Sequence, residues 1–529
     1  MRPTPAAPHS LRRLIALALC IGLCAAAAQA QESASPTPLP TLPNPPSPKA
    51  HQPSQKPAAK PDSKEANEKA AELAAESTKA FMAGDVAKAE ELLLQQLELQ
   101  PKNFVVYYNL ACCRAMQHDA KGGCDYLSKA IENGFCDLRQ LEHDATLDPL
   151  RSEQRFRDIL NNWPAILEAR RAANLKGTED LFKTGYQNSQ DDRLKLSFRS
   201  AFDERSANQA KTELSRLADW GNENLIPGLL DKDQMAHDAW VVVVLPNRQD
   251  FLRWVVSAYG PDAVGEMSMI AGAYEHDQKR LVSMDLGATL RHEFFHVLHW
   301  RDMTRRGQMH PIWIMEGLCS LVEDYDIDKE GHLHPTPSWR SNIVKRLERL
   351  GKLEPIETLA KRSPQDFSGT RPLANYAEAR TLFLYLCDIG KLKDWYVEYT
   401  GHYREDPTGV KAIETVLGKP MKEVNKDYHT WVRKLDMVPE EIKPGMASLG
   451  IEIDAGNGEG PVVRGIDRSG PNRPDLHLND VVTSIDHRAT RDLAELVRVL
   501  SEYKPGDVVE VAYRRGKLYG TTKVTLVAR

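Results

Sequence analysis

The chain has 529 residues, 41% of them hydrophobic, and its 69 basic and 74 acidic side chains leave a formal net charge of -5. That length exceeds what one hydrophobic core serves, and ordinary domain sizes predict about three or four domains. Charges of both signs are spread along the whole chain with no run of Lys or Arg, which excludes an electrostatic footprint for nucleic acid.

The first thirty residues carry Arg2, Arg12 and Arg13, then the apolar run Leu14 to Ala28, then Ala28-Gln29-Ala30 with small residues at a cleavage position. This pattern predicts a cleaved secretory signal over 1–30. The apolar run is short for a bilayer span, so the reading is an exported protein (periplasmic, cell-envelope or secreted) with no integral membrane span after cleavage. Residues 31–64 contain "SASPTPLPTLPNPPSPKAHQPSQKPAAKPDS", proline-rich and polar, with almost nothing to bury; an extended linker is expected. Six cysteines remain after cleavage, and four of them (Cys112, Cys113, Cys124 and Cys136) crowd into one helical region. Export permits disulfides, yet the surroundings read as apolar packing, and no CxxC pair points to a cysteine-held metal.

From Glu65 the pattern turns helical, and a shift of 34 residues superposes Ala89 on Gly123, Leu93 on Leu127 and Leu97 on Ile131. Such a period marks paired-helix repeats. The segments "FMAGDVAKAEELLLQQLELQPKN" and "YYNLACCRAMQHDAKGGCDYLSKAIENGF" resemble tetratricopeptide repeats, with Gly84 at the inter-helix turn and Pro101 ending the first unit. Two units and a partial third are expected over 65–165. The resemblance implies a concave groove for a protein partner.

A segment at 178–437 follows, neither repeat nor all-β. "AWVVVVLPN" predicts a buried strand, "DFLRWVVSAYG" a helix, and "GAYEHDQKRLVSMD" a hairpin or edge strand leading into "LGATLRHEFFHVLHWRDM". In that last run Leu290, Phe294, Val297 and Leu298 line one helical face. His292 and His296 stand one turn apart, so their imidazoles can converge on one ion while Glu293 meets a water there. With 16 histidines in the chain, HExxH arises by chance on the order of 0.03 times per chain. A catalytic zinc takes three protein ligands and keeps one position for water. Glu316, in the apolar run "HPIWIMEGLCSLVED", is the third candidate.

HExxH followed by Trp-x-x-Glu-Gly resembles the gluzincin metallopeptidases, in particular the peptidase MA group. The resemblance implies Zn²⁺, one per chain, held by His292, His296 and Glu316, with Glu293 as general base and a protein or peptide as substrate. In this family a carboxylate one turn after the third ligand often steadies an imidazole; here Ser320 occupies that place, with Glu323 and Asp324 a further turn along. A tyrosine or histidine donates to the oxyanion in related enzymes, and Tyr376 in "RPLANYAEARTLFLYLCD" is the candidate. Tyr274 or Glu275, before the HExxH run, would contact substrate.

The last segment, 442–529, holds short β-branched runs, "SLGIEI", "PVVRGI", "DVVTSID", "DVVEVAYRR" and "TTKVTLVA", around one helix in "ATRDLAELVRVLSEY". The order resembles a bacterial PDZ domain, with Ser448, Leu449, Gly450 and Ile451 as its carboxylate-binding loop. Asn479 stands where glycine is common and tolerates a left-handed backbone. The resemblance implies a C-terminal peptide ligand bound by β-augmentation. The expected fold is therefore multidomain: all-α helical repeats, an α+β zincin-like metallopeptidase domain, then a small β-rich PDZ domain. The competing functional reading is an exported scaffold whose repeats and PDZ domain bind proteins around an inactive metal-binding domain.

Overall fold

The computed structural model describes residues 64–231, 238–267, 270–456, 458–466 and 475–529. The expected signal and nearly all of the proline-rich linker lie outside the described residues.

Helices come first. α1 (Lys64–Met82), α2 (Val86–Leu99), α3 (Phe104–Met116) and α4 (Ala120–Glu132) pack as antiparallel neighbours. Then α5 (Leu138–His143), α6 (Gln154–Asn161) and the longer α7 (Trp163–Leu181) follow. The starts of α2, α4 and α6 fall at 86, 120 and 154, so the sequence period of 34 recurs as a structural one, and α3 and α5 repeat it at 104 and 138. Asp85, Asn103, Asp119 and Asp137 each cap a helix through the side chain, which fixes where the turns fall. Gly84 adopts φ +80° at the first turn. At Gly123 a Cβ would lie 2.7 Å from Leu150 Cδ2, so the helices meet there only because the side chain is absent. Cys112, Cys113 and Cys124 are buried without disulfides. α7 spans the stretch between the expected repeat and central segments and packs against the central sheet.

The central region is built on a five-stranded sheet. β1 (Gln187–Asp191), β2 (Leu196–Ser200), β3 (Trp240–Val244), β4 (Gly272–Glu275) and β5 (Arg280–Ser283) are arranged β1-β2-β3-β5-β4. β2, β3 and β5 run parallel, and β1 and β4 are antiparallel edges. β3 is Val-rich and buried throughout, as a strand covered on both faces must be. α8 (Glu204–Asn224) and α9 (Arg248–Tyr259) contribute to its cover.

After β5 come α10 (Ala288–Arg306) and α11 (Ile312–Leu321), the short hairpin β6 (Tyr325–Ile327) and β7 (Leu333–Pro335), α12 (Trp339–Arg349) and α13 (Pro372–Asp388), with further helices to Lys434. Their apolar faces join the inner face of the sheet in one large core. No helix among the described residues is long and apolar enough to cross a membrane.

The C-terminal segment is a β-rich unit with its own core, around Val463, Val482, Leu496 and Val511. β8 (Ala447–Ser448) pairs with β15 (Val527–Ala528). β9 (Ile451–Asp454), β10 (Val462–Ile466), β11 (Val481–Ile485), β13 (Val508–Arg515) and β14 (Leu518–Thr525) form an antiparallel sheet in the order β14-β13-β11-β10-β9, with β12 (Arg488–Ala489) paired to β11. α14 (Leu493–Leu500) is the helix expected there.

Candidate metal centre

Every residue of α11 is buried, and so are most of those of α10, so polar groups on these helices must answer to one another rather than to water. Asp285 organises the start of α10: its carboxylate accepts from the backbone N–H of Gly287 at 2.8 Å and of Thr289 at 3.2 Å, serving helix donors that have no intrahelical partner. Gly307, at φ +62°, ends the helix after Arg305 and Arg306.

Within α10 the i, i+4 spacing brings the two imidazoles together, with Nε2 of His292 and Nε2 of His296 3.2 Å apart. α11 supplies the third group. Oε2 of Glu316 lies 3.3 Å from Nε2 of His292 and 3.6 Å from Nε2 of His296. One ligand atom from each of the three residues falls within 4.8 Å of the others. The sequence motif around Glu316 has a packing logic. Trp313 stacks on Phe383 of α13 at 5.1 Å and donates from its indole to the Thr408 carbonyl. A Cβ at Gly317 would lie 2.7 Å from the same Phe383 ring, so this glycine lets α11 close on α13.

The electrostatics of the triad call for positive charge. Glu316 is 1% exposed, and its Oε1 has no hydrogen-bond partner among the described residues. Burial opposes its ionisation, but the two imidazoles hold its carboxyl down at about 2. Burial likewise opposes a charge on His292, yet hydrogen bonds to Glu316 and Glu323 push it up to about 10. His296 is shifted down by burial. Two imidazoles, a buried ionised carboxylate and one carboxylate oxygen left without a partner make a donor set that fits a divalent zinc ion.

Glu293 sits beside the triad but faces β4. It is 8% exposed, and burial together with the neighbouring Glu316 and Glu323 charges raises its carboxyl to about 8, against the pull of His292. A Cβ on Gly272 would lie 2.8 Å from both Cγ and Oε1 of Glu293 and 2.6 Å from Cγ2 of Thr289. The edge strand therefore passes so close to the helix that only glycine leaves Glu293 its position. Gly272→Ala is expected to destabilise the fold by about 1–3 kcal/mol through overpacking against Glu293 and Thr289; thermal unfolding checks it.

β4 alternates its side chains, so Gly272 and Tyr274 face α10 together. Tyr274 stacks on His296 at 5.1 Å and on Trp240 at 5.4 Å. Glu275 faces the other way, buried, bonded to Arg280 at 2.6 Å and to the Tyr259 hydroxyl. Of the two candidates for substrate contact, Tyr274 or Glu275, the second has its carboxylate in a buried ion pair.

The carboxylate that steadies an imidazole, left unassigned by helical spacing, is Glu323. Its Oε1 accepts from Nδ1 of His292 at 2.9 Å. Arg340 grips the same carboxylate with Nε and Nη2 at 2.7 and 2.9 Å. Despite burial, Arg340 and His292 keep Glu323 well below the usual carboxylate range. Such a partner fixes ring orientation and raises ligand basicity. α11 ends at Leu321, so Glu323 lies beyond the helix, in the turn before β6, and its carboxylate returns to α10. Ser320 is fully buried, and its carbonyl accepts from Arg380 at 2.9 Å.

Tyr376 lies on α13, half-buried, packed on Phe367 at 5.1 Å and beneath the Arg340 guanidinium at 5.8 Å. It thus neighbours Arg340, the residue that grips Glu323. His299 and His310, outside the triad, bond each other at 2.8 Å in the core. A cavity of about 690 Å³, lined by residues including Trp220, His332, Leu384 and Trp431, lies elsewhere and includes none of the triad.

In the C-terminal unit Ser448 Oγ accepts from the Gly450 N–H at 3.3 Å, Leu449 is buried, and Gly450 takes φ +70° before Ile451 opens β9. β9 ends the sheet, leaving its outer edge as a template for an added strand. Asn479 takes φ +69°, the left-handed conformation expected of it. Residues 447–526 match the PDZ-domain family. The C-terminal segment is a PDZ domain. No curated protein matches the chain. Among solved structures, an aminopeptidase N family protein from Idiomarina loihiensis is similar at 12% identity, over 65% of this chain and 67% of that one, with a TM-score of 0.26; a score that low establishes no common fold.

Proposed function

We propose that the chain is an exported zinc metallopeptidase of gluzincin type that hydrolyses peptide bonds. Its PDZ domain would hold peptide C-termini at Ser448, Leu449, Gly450 and Ile451, and its helical repeats, of tetratricopeptide type, would bind a protein partner. The observation that carries this reading is the convergence of His292, His296 and Glu316, whose Oε1 has no hydrogen-bond partner among the described residues, with Glu293 next to His292 on the same helix. A bound zinc supplies a Lewis acid for the scissile carbonyl and a water whose pKa falls towards about 7.

The remaining work belongs to side chains of this chain. Glu293 takes the proton from the attacking water on its carboxylate and returns it to the leaving amine. Glu323 keeps the Nδ1 proton of His292 in place, which leaves Nε2 to serve as ligand. Tyr376 is our candidate donor to the developing oxyanion, a role worth roughly 3 kcal/mol in other enzymes. Gly272 and Tyr274 place the edge strand where a substrate backbone would align.

The test is metal content by mass spectrometry. About one zinc per folded chain is expected in wild type, and none in His296→Ala. Wild-type protein that takes up no zinc when zinc is offered would end this reading. The scaffold alternative, in which the PDZ domain and repeats bind proteins around an inactive centre, draws its support from the PDZ match and from the open edge of β9. Turnover lost in Glu293→Gln, on a substrate found from a peptide library, would eliminate it.

A further inference from the structure

The PDZ domain is built into the support of the metal centre. Arg291 immediately precedes His292 on α10 and is 2% exposed. Its Nη2 donates to Oε1 of Glu495, on the PDZ helix α14, at 2.5 Å. The same guanidinium donates through Nη2 and Nε to the carbonyl of Glu323, at 2.5 and 3.2 Å. Glu323 in turn accepts from His292. One buried guanidinium therefore joins a PDZ side chain to the residue that orients a ligand.

Neighbouring contacts keep this linkage rigid. Oε2 of Glu495 accepts from the Arg491 N–H at 2.7 Å, so the carboxylate has both oxygens engaged and little rotational freedom. Arg491 donates to Glu213 of α8 at 2.8 Å, and Glu213 also lies 3.5 Å from Arg291. Just before α10, the Leu286 N–H donates to the Gly458 carbonyl at 2.8 Å. A Cβ on Gly287 would lie 2.7 Å from Cβ of Arg491, so the two domains touch at backbone distance where the HExxH helix begins.

Resting on the zinc reading above, we infer that Glu495 of the PDZ domain is a positioning residue for the metal centre, acting on His292 through Arg291 and Glu323. The geometry gives Arg291 no other carboxylate at comparable distance, since Glu213 is 1 Å farther. Removing Glu495 leaves a buried guanidinium underpaired next to the first ligand, free to relax towards Glu213 and to release the Glu323 carbonyl. The PDZ domain would thus set how tightly the centre holds its ion.

The experiment compares the full chain with Glu495→Gln, Glu495→Ala and Tyr519→Phe. The dissociation constant for zinc is read by chelator competition, and the cobalt-substituted absorption spectrum reports ligand geometry. Tyr519→Phe is the control. It removes a different contact between the same two domains, the bonds of the Tyr519 hydroxyl to Asp203 and, at 2.8 Å, to Ser206, without touching Arg291. Glu495→Gln keeps an acceptor for the Arg491 N–H, so it answers the question even if Glu495→Ala does not fold.

Expected is a zinc constant weakened about tenfold in Glu495→Gln with an altered cobalt spectrum, at the low end of the effect of outer partners on metal affinity, and no change in Tyr519→Phe. An unchanged constant and spectrum in Glu495→Gln overturns the inference while leaving the peptidase reading standing. Equal weakening in Tyr519→Phe overturns it too, because general docking would then be the cause. A wild-type chain that binds no zinc ends the peptidase reading and this inference together.

Discussion

Glu293→Gln is expected to bind zinc as wild type does and to lose turnover by about 10²- to 10⁴-fold, the range that general acid–base catalysis contributes. The substitution is close to isosteric, and that matters because Gly272 leaves Glu293 no spare room. A larger side chain would confound chemistry with packing. Glutamine keeps the shape and removes only the capacity to carry a proton. Glu293 belongs to none of the three ligand atoms brought together at the centre, so metal content should hold. Its carboxyl is raised by burial and by two nearby anions, so the uncharged amide costs the fold nothing that the carboxylate supplied. Zinc stoichiometry, thermal unfolding and kcat on one substrate separate these effects. Turnover equal to wild type would remove Glu293 from the mechanism.

What could be read from sequence follows how local each feature is. His292, His296 and Glu293 lie on one helix whose apolar face is visible in the string, so the i, i+4 rule alone places both imidazoles together. Glu316 is legible through its Trp-x-x-Glu-Gly setting, and the packing of Trp313 and Gly317 against Phe383 gives that setting a physical cause. Glu323 is missed because helical spacing presumes that the helix continues, whereas α11 stops at Leu321 and a turn carries the carboxylate back.

The choice between Tyr274 and Glu275 is of a different kind, since strand alternation bears on it. In a strand, side chains alternate, so placing Tyr274 toward the HExxH helix commits Glu275 to the opposite face, where Arg280 waits. The PDZ strands, their helix and the left-handed Asn479 are legible because turn chemistry and β-branched runs are local. The contact between Arg291 and Glu495 spans 204 residues. Neither residue's own neighbourhood distinguishes it from any surface charge, so only the docked fold reveals it.

Replacing Glu316 by leucine is expected to separate stability from metal binding. A four-ligand zinc site is worth roughly 10–16 kcal/mol in small metal-folded domains, so one ligand carries about 3 kcal/mol, a factor on the order of a hundred in affinity. Zinc at about 100 times its dissociation constant stabilises a folded protein by about 2.7 kcal/mol. Wild type should therefore unfold at a higher temperature when zinc is added, and Glu316→Leu should show little or none of that rise. The metal-free comparison isolates the contribution of the side chain itself. Glu316 is a buried anion whose Oε1 lacks a partner among the described residues, held on a helix where every residue is buried. Burying it costs free energy, but its pairing with His292 and His296 offsets that cost, and taking away one partner of a buried pair destabilises the fold. Glu323 still accepts from that imidazole at 2.9 Å, which limits the penalty. Metal-free Glu316→Leu is thus expected to unfold below the wild-type temperature, and a scanning calorimetry series with and without zinc reads both effects. A metal-free variant that is markedly less stable, with the zinc response intact, would mean that Glu316 serves the core rather than an ion.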